Sequence, residues 1–177
     1  MFCLTVDDEI KLCLREERHA EALFALVEAN RIYLREWLPW LDANATVGDT
    51  RNFIKTSLEQ FANNNGFQTA IVFKRETVGM IGYHQVDRIN RSVEIGYWLS
   101  ADYQGRGIIT RACRFLVNYA FTEMGLTRVV IRCAVGNHKS CAVPERLGFK
   151  KEGVLRQAEW LYDHFVDLVV YATLKEE

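Results

Sequence analysis

Tyr103-Gln104-Gly105-Arg106-Gly107-Ile108-Ile109-Thr110 joins two segments of different hydrophobic period. Before it, Val93, Ile95, Tyr97 and Leu99 alternate with Glu94, Gly96 and Trp98, the period-two pattern of a strand with two unlike faces. After it, Ile109, Ala112, Cys113, Leu116, Val117, Ala120, Phe121 and Met124 recur at helical spacing, with Arg111, Arg114 and Asn118 on the opposite side. The order is strand, glycine turn, helix. Two glycines at alternate positions remove the Cβ atoms that would keep a ligand off the backbone, and the first turn of the helix offers four N–H groups with no intrahelical partner. Such a turn suits a phosphate-like anion.

Three kinds of glycine turn are distinguished by the residues next to their glycines. A P-loop needs Lys and then Ser or Thr after its last glycine, where this chain has Ile108 and Ile109. A dinucleotide fingerprint needs a third glycine at position 110, which is Thr. The spacing Gln104-x-x-Gly107-x-Ile109 instead resembles the Q/R-x-x-G-x-G/A pyrophosphate loop of the GNAT acetyltransferase superfamily, which binds acetyl-coenzyme A. Ile109 departs from that pattern, but binding there would run through backbone amides. Taken alone, the loop is equally compatible with a plain tight turn from strand to helix.

The chain has 177 residues, enough for one well-buried domain and short for two. Hydrophobic residues make up 49% and charged ones 25%, ordinary globular values. With 22 basic and 23 acidic side chains the net charge is −1, which leaves no footprint for general nucleic-acid binding. No run reaches membrane-spanning length, and Met1-Phe2-Cys3-Leu4-Thr5-Val6-Asp7-Asp8 lacks the basic start and long apolar core of a signal peptide. A cytoplasmic protein is expected. The five cysteines, Cys3, Cys13, Cys113, Cys133 and Cys141, show no C-x-x-C pair or zinc spacing. Cys13, Cys113 and Cys133 have apolar neighbours and are expected to be reduced core thiols. His19, His84, His138 and His164 are scattered, so no metal is implied.

Along the chain, Ile10 to Leu14 is a short strand, and Ala22, Leu23, Leu26 and Val27 mark a helix from about Arg18 to Asn30. Tyr33 to Leu41 is rich in large rings, among them Trp37 and Trp40. It is either a core-packing helix end stopped by Pro39 or a rigid wall of a substrate cleft. Thr46 or Asp49 can cap a helix running to about Asn64, with Phe53, Ile54, Leu58 and Phe61 inward. Strands come next at Phe67 to Phe73 and Val78 to Val86, the second weakened by Gly79 and Gly82. With the strand before the glycine loop they form an antiparallel meander. The long helix then crosses over to a strand at Arg128 to Val135, which is expected to lie parallel beside its predecessor. A ligand favours such a point. A short helix ends at Arg146, and its Pro144 leaves the carbonyl of Ser140 without an intrahelical partner. Asn137 and Ser140 are capping residues by type. Lys150 to Arg156 and Phe165 to Leu174 form a last strand pair, with Gln157 to His164 between them. No linker or repeat interrupts residues 1–177, which read as a single domain.

Several further motifs fall in register. Glu94-Ile95-Gly96-Tyr97-Trp98-Leu99, the glycine loop, Val135-Gly136-Asn137-x-x-Ser140-x-Ala142-Val143-x-x-Arg146-x-Gly148-Phe149-x-x-Glu152-Gly153, and Gln157-Ala158-Glu159 occur in the order of the RimJ/RimL type of ribosomal-protein N-terminal acetyltransferase. The resemblance is strong from about Val78 onward and holds only in outline before it. It implies an α/β (α+β) GNAT fold: a mixed, mostly antiparallel central sheet flanked by helices, with one parallel strand pair forming the cofactor cleft. It also implies acetyl transfer from acetyl-CoA to an amine by direct attack, most often to a protein α-amino group. Carried over by motif position, Glu159 would be the base and Ser140 the acid. Backbone N–H groups of Tyr97, Trp98 and Leu99 would face the thioester, and the amides of Gln104, Gly105, Arg106, Gly107, Ile108, Ile109 and Thr110 the pyrophosphate. Asn137 would hold the pantetheine, and Arg106, Arg111 and Arg114 are candidates for the remaining phosphate. Trp37, Trp40, Glu159 and Trp160 would line the acceptor side, and Cys141 could border the same site. The acceptor is the N-terminal serine of a ribosomal protein or a small amine such as a polyamine, amino acid or antibiotic. A coenzyme A-binding module without catalysis is the alternative of another class. Pairing with a second copy is also implied by the resemblance.

Overall fold

The structure, a computed structural model, describes residues 2–84 and 86–176. Its strands are β1 (Cys3–Thr5), β2 (Ile10–Leu14), β3 (Gln68–Phe73), β4 (Glu76–Tyr83), β5 (Ser92–Leu99), β6 (Arg128–Ala134), β7 (Lys150–Leu161) and β8 (His164–Leu174). The helices are α1 (Ala20–Arg35), α2 (Val47–Ala62), α3 (Ile108–Thr122) and α4 (His138–Arg146). All eight strands form one sheet in the order β1-β2-β3-β4-β5-β6-β8-β7. Its pairs are antiparallel except β5 with β6, as the crossover through α3 requires.

Alternation along β5 sends its two faces to different layers. Val93 and Ile95 meet Ile108, Ala112, Cys113, Leu116 and Ala120 of α3, together with Val129 and Ile131 of β6, in the larger core. Buried Tyr83 donates its hydroxyl to the carbonyl of Leu116, which satisfies the phenol inside that core. On the other face Ala20 and Leu23 of α1 and Ile54 of α2 pack on Ala70 and Met80, with Trp98 against them. The expected strands at 10–14, 67–73 and 128–135 and the parallel pair are present to within a residue or so. The strand expected over 78–86 ends at Tyr83, and Gln85 lies outside the described residues.

Several expectations are corrected. β1, three residues long, adds a strand to those expected; its register with β2 sets Cys3 opposite Cys13, Cα atoms 4.1 Å apart, and the two form a disulfide. Cys13 is therefore not a reduced core thiol, whereas Cys113, Cys133 and Cys141 are free and buried. α1 runs on to Arg35, so Tyr33 and Leu34 are helical and the helix stops before Pro39 is reached. Ala22 is exposed; Ala20, Leu23, Val27, Asn30 and Leu34 are the inward row. At α2, Thr46 and Asp49 act together: the Thr46 hydroxyl accepts the Asp49 N–H at 3.2 Å and the Asp49 carboxylate accepts the Thr46 N–H at 2.8 Å. That start turns Thr50 and Ile54 inward and leaves Phe53 and Phe61 44% and 50% exposed. Thr50 tolerates burial because its hydroxyl donates to Asn44 at 2.8 Å.

The largest correction is at the end of the chain. Residues 157–161 continue β7 past an irregularity between Leu155 and Glu159, where Gln157 takes a φ of 47°. Glu159 thus stands on a strand, paired with Val166, and not in a loop.

Candidate active site

β5 and β6 pair only over Ser92–Glu94 and Arg128–Val130, yet β5 continues to Leu99 and β6 to Ala134. Beyond the third pair the two strands part, and the sheet opens. The ladder to β4 uses the carbonyl of Glu94, accepting from His84 N–H, and the N–H of Ser100, donating to Val78. Even-numbered residues of β5 therefore bond β4, and the N–H groups of Tyr97 and Leu99 point toward the opening. The N–H of Trp98 is directed at β4, so the strand offers two amides there and not three.

A cavity of about 630 Å³ fills this opening on the face carrying α1 and α2. Glu159, Ser140, Asn137, Tyr97, Trp98, Trp37 and Trp40 all line it, so most of the expected catalytic and acceptor-side residues converge. Trp37 reaches across to Gly136, which ties the aromatic segment after α1 to the turn before α4. That segment is a cleft wall as well as a packing element, for Leu34 and Leu41 hold it down in a small core of their own. Trp160 is not brought to the cavity. It is 53% exposed and packs edge-on against Phe165, ring centroids 4.7 Å apart, because neighbours on a strand face opposite ways. Cys141 is likewise turned away into the large core; the thiol that meets the cavity is Cys133.

Phe53, His84, Glu94 and Arg132 also line the cavity, and the sequence had given none of them a catalytic or binding role. The last two form an ion pair, with Arg132 Nε donating to Glu94 Oε2 at 2.8 Å. The break of the apolar run Val129-Val130-Ile131 by Arg132 was the available signal. Burial raises the Glu159 carboxyl above its ordinary range; Arg132 opposes the shift and Glu94 adds to it. A carboxylate so placed is a better proton acceptor than one in water.

Ser140 is held at the third position of α4. Its N–H donates to the Asn137 side chain at 3.2 Å, so Asn137 is the helix cap. Its hydroxyl lies 3.3 Å from both Tyr97 Oη and Cys133 Sγ. Burial pushes the Cys133 thiol up to about 12 and keeps it protonated.

On the other side of the opening lies the glycine turn. Gly105 and Gly107 have φ of 73° and 69°, the left-handed region, and nothing stands within 4 Å of where their Cβ atoms would be. The backbone is bare there, and Gly107 caps α3 directly. The N–H of Gln104 is taken by Ala101 O at 3.2 Å, so the amides the turn can offer begin at Gly105. The Gln104 side chain braces the turn instead, donating to Tyr33 Oη at 2.5 Å and accepting from Lys139 Nζ at 2.8 Å. Asn30, buried in α1, accepts the N–H of Ala101 at 3.0 Å and steadies the approach to it. The side chains of Ile108 and Ile109 are in the core, leaving only their backbones toward the turn. These features fit a pyrophosphate-bearing ligand. Of the three arginines considered for a further phosphate, Arg111 is engaged by Asp7 and Glu9, 3.0 Å from each. Among the described residues no group of three His, Cys, Asp or Glu side chains could hold a metal ion, and no helix is long and apolar enough to cross a membrane.

The family described as "Acetyltransferase (GNAT) domain" matches residues 11–150. The chain is 41% identical over 179 residues to the "Putative ribosomal N-acetyltransferase YdaF" of Bacillus subtilis (strain 168), covering 100% of this chain and 97% of that one. It is 32% identical over 173 residues to the ribosomal-protein-serine acetyltransferase of Escherichia coli (strain K12), covering 97% and 96%. A solved structure of RimL, a ribosomal L7/L12 alpha-N-protein acetyltransferase in complex with coenzyme A, superposes with a TM-score of 0.94 at 28% identity, covering 98% of each chain. The fold agrees with these matches, and the chain belongs to the GNAT acetyltransferases of the RimJ/RimL type, an N-acetyltransferase whose acyl donor is acetyl-CoA.

Proposed function

We propose that this chain acetylates the α-amino group of a protein N-terminus, that of a ribosomal protein beginning with serine, with Glu159 as base and Ser140 as acid. The observation that carries the reading is that Glu159 and Ser140 line one cavity, walled by Trp37 and Trp40, at the place where β5 and β6 part. The relatives named for ribosomal acceptors match over nearly the full chain, which supports the choice of acceptor. An acceptor of that kind puts the reaction in the cytoplasm.

Acetyl-CoA supplies an acyl group already activated as a thioester. The amides from Gly105 to Thr110 hold its pyrophosphate, and the N–H groups of Tyr97 and Leu99 face the acyl oxygen, where negative charge develops. An α-amine has a reference pKa of about 8, so a useful fraction is neutral near pH 7 and a modest base suffices. Glu159 takes the proton that the nitrogen loses as the new C–N bond forms. Ser140 gives its hydroxyl proton to sulfur as the C–S bond breaks, and regains one from solvent.

The acceptor is tested by acetylation of peptides beginning Ser, Ala or Met against a panel of polyamines, amino acids and aminoglycosides. The Ser peptide is expected to be preferred; turnover on a small amine with none on any peptide would refute the assignment. The role of the turn is tested separately. In Gly107→Ala the free turn can relax out of the left-handed region, and binding must restore it at a cost of about 1–2 kcal/mol, so acetyl-CoA binding is expected to weaken about 5- to 30-fold by calorimetry. Unchanged affinity would move the pyrophosphate elsewhere.

A further inference from the structure

Pro144 has no N–H, so α4 lacks the bond that would run back from residue 144 to the carbonyl of Ser140. That carbonyl is nonetheless satisfied: Tyr97 Oη, on β5, donates to it at 3.0 Å. The same phenol oxygen accepts from Ser140 Oγ at 3.3 Å. Ser140 is thus held at its N–H by Asn137 and at both its carbonyl and its hydroxyl by Tyr97. We propose that Tyr97 is the positioning residue for the Ser140 hydroxyl, and that Pro144 serves this role by leaving the Ser140 carbonyl open to a donor from β5. This rests on Ser140 acting as proposed above.

The hydrogen-bond inventory decides what Tyr97 can and cannot do. A phenol has one proton, and here the Ser140 carbonyl takes it. Toward the Ser140 hydroxyl, Tyr97 can therefore only accept, and at 3.3 Å it does so weakly; it sets that hydroxyl mainly through the 3.0 Å bond that anchors the Ser140 carbonyl, and it does not protonate the leaving sulfur itself. Burial raises the phenol well above its ordinary value, which keeps it a donor to the carbonyl at any working pH. At 3.3 Å the Ser140 Oγ–Tyr97 bond is long for an O–H···O pair, and the one Ser140 proton is shared between Tyr97 and the weak acceptor Cys133 Sγ, also 3.3 Å away. The hydroxyl is located without being tightly engaged, and its proton can swing to a sulfur arriving in the opening. One residue thus fixes α4 to the edge of β5 whose amides face the same reacting centre.

The arrangement makes an unusual rescue possible. In Tyr97→Phe the Ser140 carbonyl loses its donor, and in Tyr97→Phe/Pro144→Ala the alanine N–H can supply an ordinary helical one. We would measure kcat and KM for acetyl-CoA and for the Ser peptide in wild type, Ser140→Ala, Tyr97→Phe, Pro144→Ala and the double variant, with thermal melts on each. Tyr97→Phe is expected to lower kcat about 10-fold, the weight of one well-made hydrogen bond, with KM for acetyl-CoA within about twofold. Pro144→Ala alone is expected within about threefold of wild type, and the double variant is expected to recover most of the lost kcat. If Ser140→Ala is slow while Tyr97→Phe turns over like wild type, the positioning role is overturned and the role of Ser140 stands. If Ser140→Ala is as active as wild type, the acid assignment fails and the positioning role with it. A slow Tyr97→Phe that Pro144→Ala does not rescue also overturns the proposal. Should Tyr97→Phe fail to fold, the double variant decides: folded and active supports the proposal, and unfolded or slow overturns it.

Discussion

Replacement of Glu159 by glutamine is expected to lower kcat/KM for the peptide acceptor by about 10²- to 10³-fold, the range for removal of a positioned base. Glutamine keeps the shape of the side chain and its place on β7, so the loss isolates proton transfer. The pH profile gives a second, independent readout. The base works only when ionised, and burial raises its carboxyl above the ordinary range. Wild-type kcat/KM should therefore climb with pH through that raised value, and the glutamine variant should lose this climb. A second rise, as the acceptor amine itself becomes neutral near its reference pKa of about 8, should survive in both. A variant retaining both rises, or wild-type rates, would remove Glu159 from the chemistry.

Stability should move the other way. Between the ordinary carboxyl value and the raised one, the native chain holds a proton that the unfolded chain has released, so stability falls as pH rises through that window. Above the window the native protein keeps a partly desolvated charge beside Glu94, and glutamine relieves it. Glu159→Gln is thus expected to melt no lower than wild type above the window. This separates loss of the base from loss of the fold, and is what a site kept for function at some expense of stability should show.

A large effect on stability is expected at Gly79. A Cβ there would sit 2.2 Å from the carbonyl oxygen of Trp98 and 2.9 Å from the Cα of Leu99. Both are backbone atoms of the paired strand β5 and cannot rotate away. Gly79→Ala must push β4 and β5 apart, at a cost of about 3 kcal/mol, which for a chain of this size lowers Tm by about 6–12 °C. Gly153, with nothing within 4 Å of its added Cβ, is the control, and Gly153→Ala is expected within about 0.5 kcal/mol of wild type. Equal melting of the two variants would show that β4 and β5 are not packed as described. The displaced strand also carries the amides of Tyr97 and Leu99, so activity should fall with stability in the first variant. In sequence Gly79 is only a weak spot in a strand; the structure sets it against the backbone of β5 with no room for a Cβ.

This contrast marks where local rules stop. The change from period two to period 3.6 across residues 103–110 locates a strand, a turn and a helix, because those periods express backbone geometry within a few residues. The same holds for the capping pair at Thr46 and Asp49, and for the carbonyl that Pro144 leaves open. The crossover length then requires a parallel neighbour, and the motifs in register after it identify the family. Which side chains meet across the sheet depends on strand register, and register is set by which faces the core buries. Cys3 opposite Cys13, Arg132 beside Glu94, and Tyr97 beneath Ser140 are all of that kind. So is Glu159, which reaches the cavity only because β7 continues past its irregularity, while the adjacent Trp160 is turned out to solvent. Chain-local chemistry settles most of the elements and the glycine turn, and long-range packing alone decides which of the candidate side chains share a cavity.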